Sequence, residues 1–330
     1  MYFTTRDILA NTALQNSLKD LYFDKVTHKK VIGIDRYETA TKISQEGWNN
    51  GSGTVLLVNG HASADGLAAT PLASAYDAPI LLTQKDHLIE STKNEIKRLN
   101  PTKVILVGGD GVISNSIVEQ VKSINSSISI ERLGGITRYD TSLLVAKKLD
   151  QISDVTKAYV CYGHGEADAL SIASKAGEEK APIILVETQE VPKTTLDWLK
   201  GETLETAYFI GGTGIIYDNV IKQMNNITSA NVTGNRVCGN NRYDTNAEVI
   251  KRFYSSKNQP QIIVSKGTEL ADALTAGPLA SKLKSPILIL SSELEVSQRK
   301  VLETKKIPKL YEVGGGMNPS AISEIIRVIK

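Results

Sequence analysis

The sequence predicts an α/β protein of three tandem modules, each a parallel sheet covered by helices on both faces. Three observations predict it. The string GIDRYETA at 33–40 returns as GITRYDTS at 135–142 and as GNNRYDTN at 239–246. Continuous apolar runs that end in glycine alternate with longer amphipathic or small-residue stretches, as in parallel strands joined by crossover helices. The order of these pieces is the same in all three copies, about four β–α steps in roughly 100 residues, so a Rossmann- or flavodoxin-like sheet is expected in each.

Residues 1–30 match nothing later in the chain; Ile8, Leu9, Leu14, Leu18, Leu21 and Tyr22 give a loose helical stripe, read as a lead-in helix. The modules are then placed at 31–130, 131–235 and 236–330. Lys30–Gly33 reads as a short strand into a turn, and 36–47 as a helix with Tyr37, Ala40 and Ile43 on one face. Asp35, Thr137 and Asn241 stand where an N-cap belongs, with Glu38, Asp140 and Asp244 three residues on, a capping-box pattern or its Asp variant. TVLLVNG (54–60), AYVCYG (158–163) and QIIVSKG (261–267) suit strands buried on both faces. Small-residue helices follow at 64–74, 167–177 and 271–281, and Pro71 and Pro278 predict a kink or restart in two of them. Strands PILLT (79–83), PIILV (182–186) and PILIL (286–290) come next, with proline at the tolerated first position. A polar helix, a fourth strand ending in Gly-Gly and a last helix complete each copy.

Composition narrows the function. Hydrophobic residues make up 41% and charged residues 22%, ordinary for a globular protein, and the net charge is only +2. Nucleic-acid binding is not expected from so small a basic excess, and any anion site must be local. No apolar run approaches the roughly 20 residues of a membrane span. Without an apolar leader core after Met1, the chain is expected to be cytoplasmic, or a mature or truncated piece of an exported protein. Two cysteines, Cys161 and Cys238, exclude a disulfide framework and leave their own pairing open.

The recurring polar residues are the candidates for chemistry. Arg36, Arg138 and Arg242 fall at the first helical position, where a cation opposes the helix dipole at some tenths of a kcal/mol. Helix stability therefore does not explain them. Two readings remain: an ion pair to the equally recurrent Asp65, Asp168 and Asp272, or an anion site shared with the helix N-terminus. The tyrosines Tyr37, Tyr139 and Tyr243 travel with the arginines. His61 and His164 share one module position, but the third copy has Thr268 there, which argues against a histidine-dependent enzyme or metal site. No second carboxylate recurs beside the aspartates: Glu166 and Glu269 occur in the second and third copies, and the first has Ser63. The turns at Gly108-Gly109, Gly211-Gly212 and Gly314-Gly315 have a phosphate-cradle layout without a nucleotide fingerprint. No catalytic group, cofactor or metal is expected.

The R-Y-[DE]-T stretch, the A-D-[AG]-L helix start, the P-I-[LI]-[LI] strand and the V/I-G-G turn occur in that order in each copy across 31–330. Together they resemble the cell wall binding repeat 2 family of Gram-positive bacteria, known from clostridial S-layer and cell wall proteins. The resemblance implies a non-covalent anchor, three modules packed as a pseudo-threefold trimer within one chain, and binding of an anionic, phosphate-containing wall polysaccharide. It also implies surface localisation after export, an anchor cut from a larger protein, and other S-layer proteins as second partners. The family's anchoring segment falls on Ile80, Leu81 and Leu82, on Ile183, Ile184 and Leu185, and on Ile287, Leu288 and Ile289. An apolar strand offers little to a charged sugar, so these are expected to support the fold while nearby polar groups bind. The alternatives are a structural spacer in a surface array and a wall hydrolase.

Overall fold

The computed structural model describes residues 26–329; the lead-in helix read at the N-terminus lies outside them. The first repeat runs β1 (Thr27–Val31), α1 (Arg36–Gly47), β2 (Thr54–Asn59), a 3-10 turn (Ser63–Ala68) into α2 (Ala69–Ala75), β3 (Ile80–Thr83), α3 (Glu90–Leu99), β4 (Lys103–Val107) and α4 (Asn115–Ile124). The second runs β5 (Ser129–Leu133), α5 (Arg138–Asp150), β6 (Lys157–Tyr162), α6 (Glu166–Glu178), β7 (Ile183–Val186), α7 (Lys193–Leu199), β8 (Thr206–Ile210) and α8 (Asp218–Asn225). The third runs β9 (Arg236–Val237), α9 (Arg242–Phe253), β10 (Ile262–Lys266), α10 (Ala271–Lys282), β11 (Ile287–Leu290), α11 (Val296–Leu302), β12 (Lys309–Val313) and α12 (Pro319–Val328).

Three four-stranded sheets result, in the orders β3-β2-β4-β5, β7-β6-β8-β9 and β1-β12-β10-β11, and every pairing is parallel. The predicted α/β class with three like modules is what the chain adopts. Sheet and repeat are nevertheless offset by one strand. The first strand of the second repeat, β5, pairs with β4 of the first, and β9 pairs with β8. The first repeat's β1 pairs instead with β12 of the third repeat. The modules thus form a closed ring in which each lends a strand backwards. The strand expected at Lys30–Gly33 runs Thr27–Val31 and keeps only Val31 buried, as suits a sheet edge.

The small-residue helices α2, α6 and α10 meet one another at the ring's centre. Ser74, Gly177 and Ser281 are equivalent positions there. A Cβ placed on Gly177 would lie 2.5 Å from the Ser74 hydroxyl oxygen and 2.7 Å from that of Ser281, so only small side chains admit this approach. Pro71 sits in the first turn of α2, where the helix restarts after the 3-10 turn, whereas Pro278 lies inside α10.

The strands β3, β7 and β11 are the opposite edges of the sheets, and all of Ile80–Leu82, Ile183–Leu185 and Ile287–Ile289 are buried. The prolines before them keep a useful carbonyl: Leu56, Tyr159 and Ile263 donate their N–H groups to Pro79, Pro182 and Pro286 at 3.1, 2.9 and 3.1 Å. Cys161 is buried in β6 and Cys238 half-buried, and both are free thiols.

Candidate functional site

The GxxRY[DE]T strings fold into one local device, built three times. Asp35, Thr137 and Asn241 cap α1, α5 and α9 by accepting the backbone N–H of Glu38, Asp140 and Asp244. The threonine hydroxyls of Thr39, Thr141 and Thr245 accept the N–H of Gly33, Gly135 and Gly239 at 3.0, 3.1 and 3.1 Å. These bonds fold each glycine onto its helix, where a Cβ on Gly33 would come 2.4 Å from the backbone nitrogen of Thr39. Sequence reasoning gave the threonines no role, although their recurrence in every copy was a usable signal.

The arginines turn back rather than out. Arg36, Arg138 and Arg242 each donate Nη1–H to the carbonyl of the glycine that ends the next strand, Gly60, Gly163 and Gly267, at 2.6, 2.9 and 3.2 Å. The tyrosine rings of Tyr37, Tyr139 and Tyr243 pack on the same glycines. The contact ion pair, one of the two readings left by the sequence, is not made among the described residues, where each guanidinium bonds to this carbonyl.

The aspartates face arginines of the following repeat. Asp65 feels Arg138, Asp168 feels Arg242, and Asp272 closes the ring on Arg36. Each carboxylate lies against the first glycine of a Gly-Gly turn. A Cβ on Gly108 or Gly211 would be 3.3 Å from the Asp65 or Asp168 oxygen, and one on Gly314 would be 2.1 Å from that of Asp272. These glycines also have φ of 136°, 139° and 87°, which side chains rarely adopt, and at Gly314 the close approach excludes one as well. Their N–H groups bond to Leu133, Val237 and Val31, which fastens each turn to the neighbouring repeat's lent strand. Arg132 and Arg236 reinforce this by donating to the Gly108 and Gly211 carbonyls, both at 3.0 Å. Their constant place three residues before the motif glycine was a second unread signal.

Two open clefts lie at these joints. The one between the first and second repeats, about 590 Å³, collects Asp65, Gly109, Ile136, Arg138, Tyr139 and His164. The one between the second and third, about 450 Å³, collects His164, Glu166, Asp168, Gly212, Asn241 and Arg242. The third joint has Asp272, Glu269, Lys266 and Arg36 in mutual electrostatic reach. Every joint therefore sits at the carboxyl ends of parallel strands, beside helix N-termini, where α/β proteins place ligands.

Electrostatics set these clefts apart from ordinary surface. Asp168 is only 7% exposed. Burial pushes its carboxyl up to about 7, with Arg242 opposing, and raises Asp272 to about 6, with Arg36 opposing. Asp65 is also raised by burial, countered by the Thr141 hydroxyl and by Arg138. The apolar anchoring strands do not reach solvent. Among the described residues there is no group of His, Cys, Asp and Glu that could hold a metal ion, and no helix is long and apolar enough to cross a membrane.

Three like modules closed into a ring, with open clefts at two of the joints, define a repeat protein. Residues 30–118, 132–221 and 236–324 match the family described as cell wall binding domain 2, and the chain belongs to that family. Its structure resembles Cwp6 from Clostridium difficile, with a TM-score of 0.90 and 45% identity, over 93% of this chain and 48% of that one. Cwp8 from the same organism gives 0.83 and 33%, over 97% of this chain and 55% of that one. Among curated proteins it is 30% identical to the N-acetylmuramoyl-L-alanine amidase LytC of Bacillus subtilis, over 92% of this chain and 58% of LytC. The chain spans about half the length of these relatives.

Proposed function

We propose that this chain is the non-catalytic anchor of a surface protein, holding it to the wall by binding an anionic, phosphate-containing polysaccharide in the clefts between its modules. The observation that carries the reading is the threefold recurrence of an arginine beside a Gly-Gly turn and helix N-termini at the module joints. Only one edge of each guanidinium is engaged by a carbonyl, which leaves donors for a phosphate oxygen. Weak sites fixed on one rigid ring gain avidity on a repeating polymer. The family's description as a wall-binding domain supports anchoring, and the amidase named among the relatives is a longer protein than this chain.

The test is co-sedimentation with isolated walls, before and after phosphodiesters are stripped with hydrofluoric acid. The purified chain is expected to pellet with untreated walls only, and less so as salt is raised. Replacing Arg36, Arg138 and Arg242 together by glutamine is expected to weaken binding by about tenfold or more, since charged hydrogen bonds contribute roughly 1.5–3 kcal/mol each. Unchanged binding by this folded variant would remove the arginines from the site. Failure to bind any wall fraction would favour the spacer reading.

A further inference from the structure

The joint clefts hold a feature that arginine-based anion binding leaves unexplained. Each places a carboxylate where the anion would have to sit, and a second negative charge should repel it. Asp168 is only 7% exposed and lines its cleft, and no side-chain hydrogen bond is made to its carboxylate among the described residues, so its oxygens are left to the cleft. Oδ1 of the half-buried Asp272 is buried outright without a partner. Buried acceptors are satisfied as a rule, and unpartnered ones ask for an explanation.

We propose that the cleft aspartates bind the polymer's phosphate as carboxylic acids, Asp168 and Asp272 each donating its O–H to the anion that Arg242 or Arg36 holds, with Asp65 acting likewise beside Arg138. The inference rests on the anchoring reading and adds that binding takes up protons. A neutral acid donates one hydrogen bond to the anion and removes the repulsion in a single step. No bond is made or broken beyond the O–H: a solvent proton is taken up on binding and returned on release.

The groups around each aspartate fit this role. Asp168 has Arg242 from α9, His164 and Glu166 beside it in the cleft, and the buried Cys161 thiol on β6. Asp272 has Arg36 from α1, with Glu269 and Lys266 nearby. Asp65 has Arg138 and Thr141 from α5, with Asp110 and His164 along the cleft wall. In the free protein Asp168 already titrates near 7 and Asp272 near 6, so protonation is within easy reach. An anion placed beside them stabilises the acid further. Binding therefore tightens as pH falls from above 7 and levels off once the free carboxyls of Asp168 and Asp272 are protonated, below about 5.

The probe is a synthetic glycerol phosphate oligomer, whose phosphodiesters have no titratable proton near neutrality. Titration calorimetry at about pH 7.5, in buffers of different ionisation enthalpy, is expected to show net proton uptake, and affinity should rise up to about tenfold per pH unit per linked proton. The variant Asp65→Asn, Asp168→Asn, Asp272→Asn carries neutral amide donors in place of the acids. It is expected to bind at pH 8 as tightly as the parent binds at about pH 5, with a flat pH profile. Parental binding without proton uptake would overturn the proposal and leave the anchoring reading standing. So would a folded asparagine variant that keeps the pH dependence, or one that loses binding at every pH, which would make the carboxylates acceptors. No binding of the oligomer at any pH would overturn both.

Discussion

Asp168 shows at the scale of one residue what the clefts demand of the fold. An aspartate whose carboxyl is raised to about 7 holds its proton more firmly folded than unfolded. Its destabilising contribution is therefore absent below the unfolded value near 4 and grows as pH rises through the folded one. Asp168→Asn is expected to stabilise the folded chain at pH 8 by on the order of 2–4 kcal/mol and to leave it nearly unchanged at pH 4. Thermal melts at the two pH values would decide this, and equal shifts would mean that the carboxylate is not held against its charge.

The elements were readable from sequence to very different depths. Helix starts were legible because a cap involves only a few neighbouring residues: Asp35, Thr137 and Asn241 act where the pattern placed them. Strand interiors such as Val55–Val58 were legible because burial on both faces writes a continuous apolar run. Which residue meets which across a joint was not. Asp65 faces Arg138 rather than the nearer Arg36 because β5 joins the first sheet, and strand order depends on contacts far apart in sequence. The least legible element was β1, four of whose five residues are exposed. It is also the lent strand with no covalent link to a preceding module of its sheet. Val31→Asp would bury a charge at the one covered position. It is expected to raise amide exchange along β12 by about 10- to 100-fold, in keeping with the roughly 1.5–3 kcal/mol carried by one buried aliphatic side chain. Unaltered protection of Leu310–Val313 would show that β1 does not hold the last sheet closed.

For the whole molecule, the offset between repeat and sheet turns three modules into one body. Each Gly-Gly turn is bonded to a strand from the next repeat, so no cleft is complete within a single repeat. The small-residue contacts of α2, α6 and α10 fix the modules about a common centre, which sets the spacing of the clefts along any bound polymer.

The closure by β1 has a topological consequence. Thr27 donates its N–H to Pro308 at 2.8 Å, and Ile329 accepts from Ile307 at 3.0 Å, so both ends of the described chain meet one short segment. The gap between residues 329 and 26 is then one of three like junctions around the ring. A circular permutant that links 329 to 26 through a few glycines and opens between Asn125 and Ser126 would make β5 the non-covalent closing strand in place of β1. It is expected to fold with a midpoint within about 5 °C of the parent, as read by circular dichroism. In such a ring the order of the repeats along the gene is a matter of descent, and the geometry of the anchor does not depend on which repeat comes first.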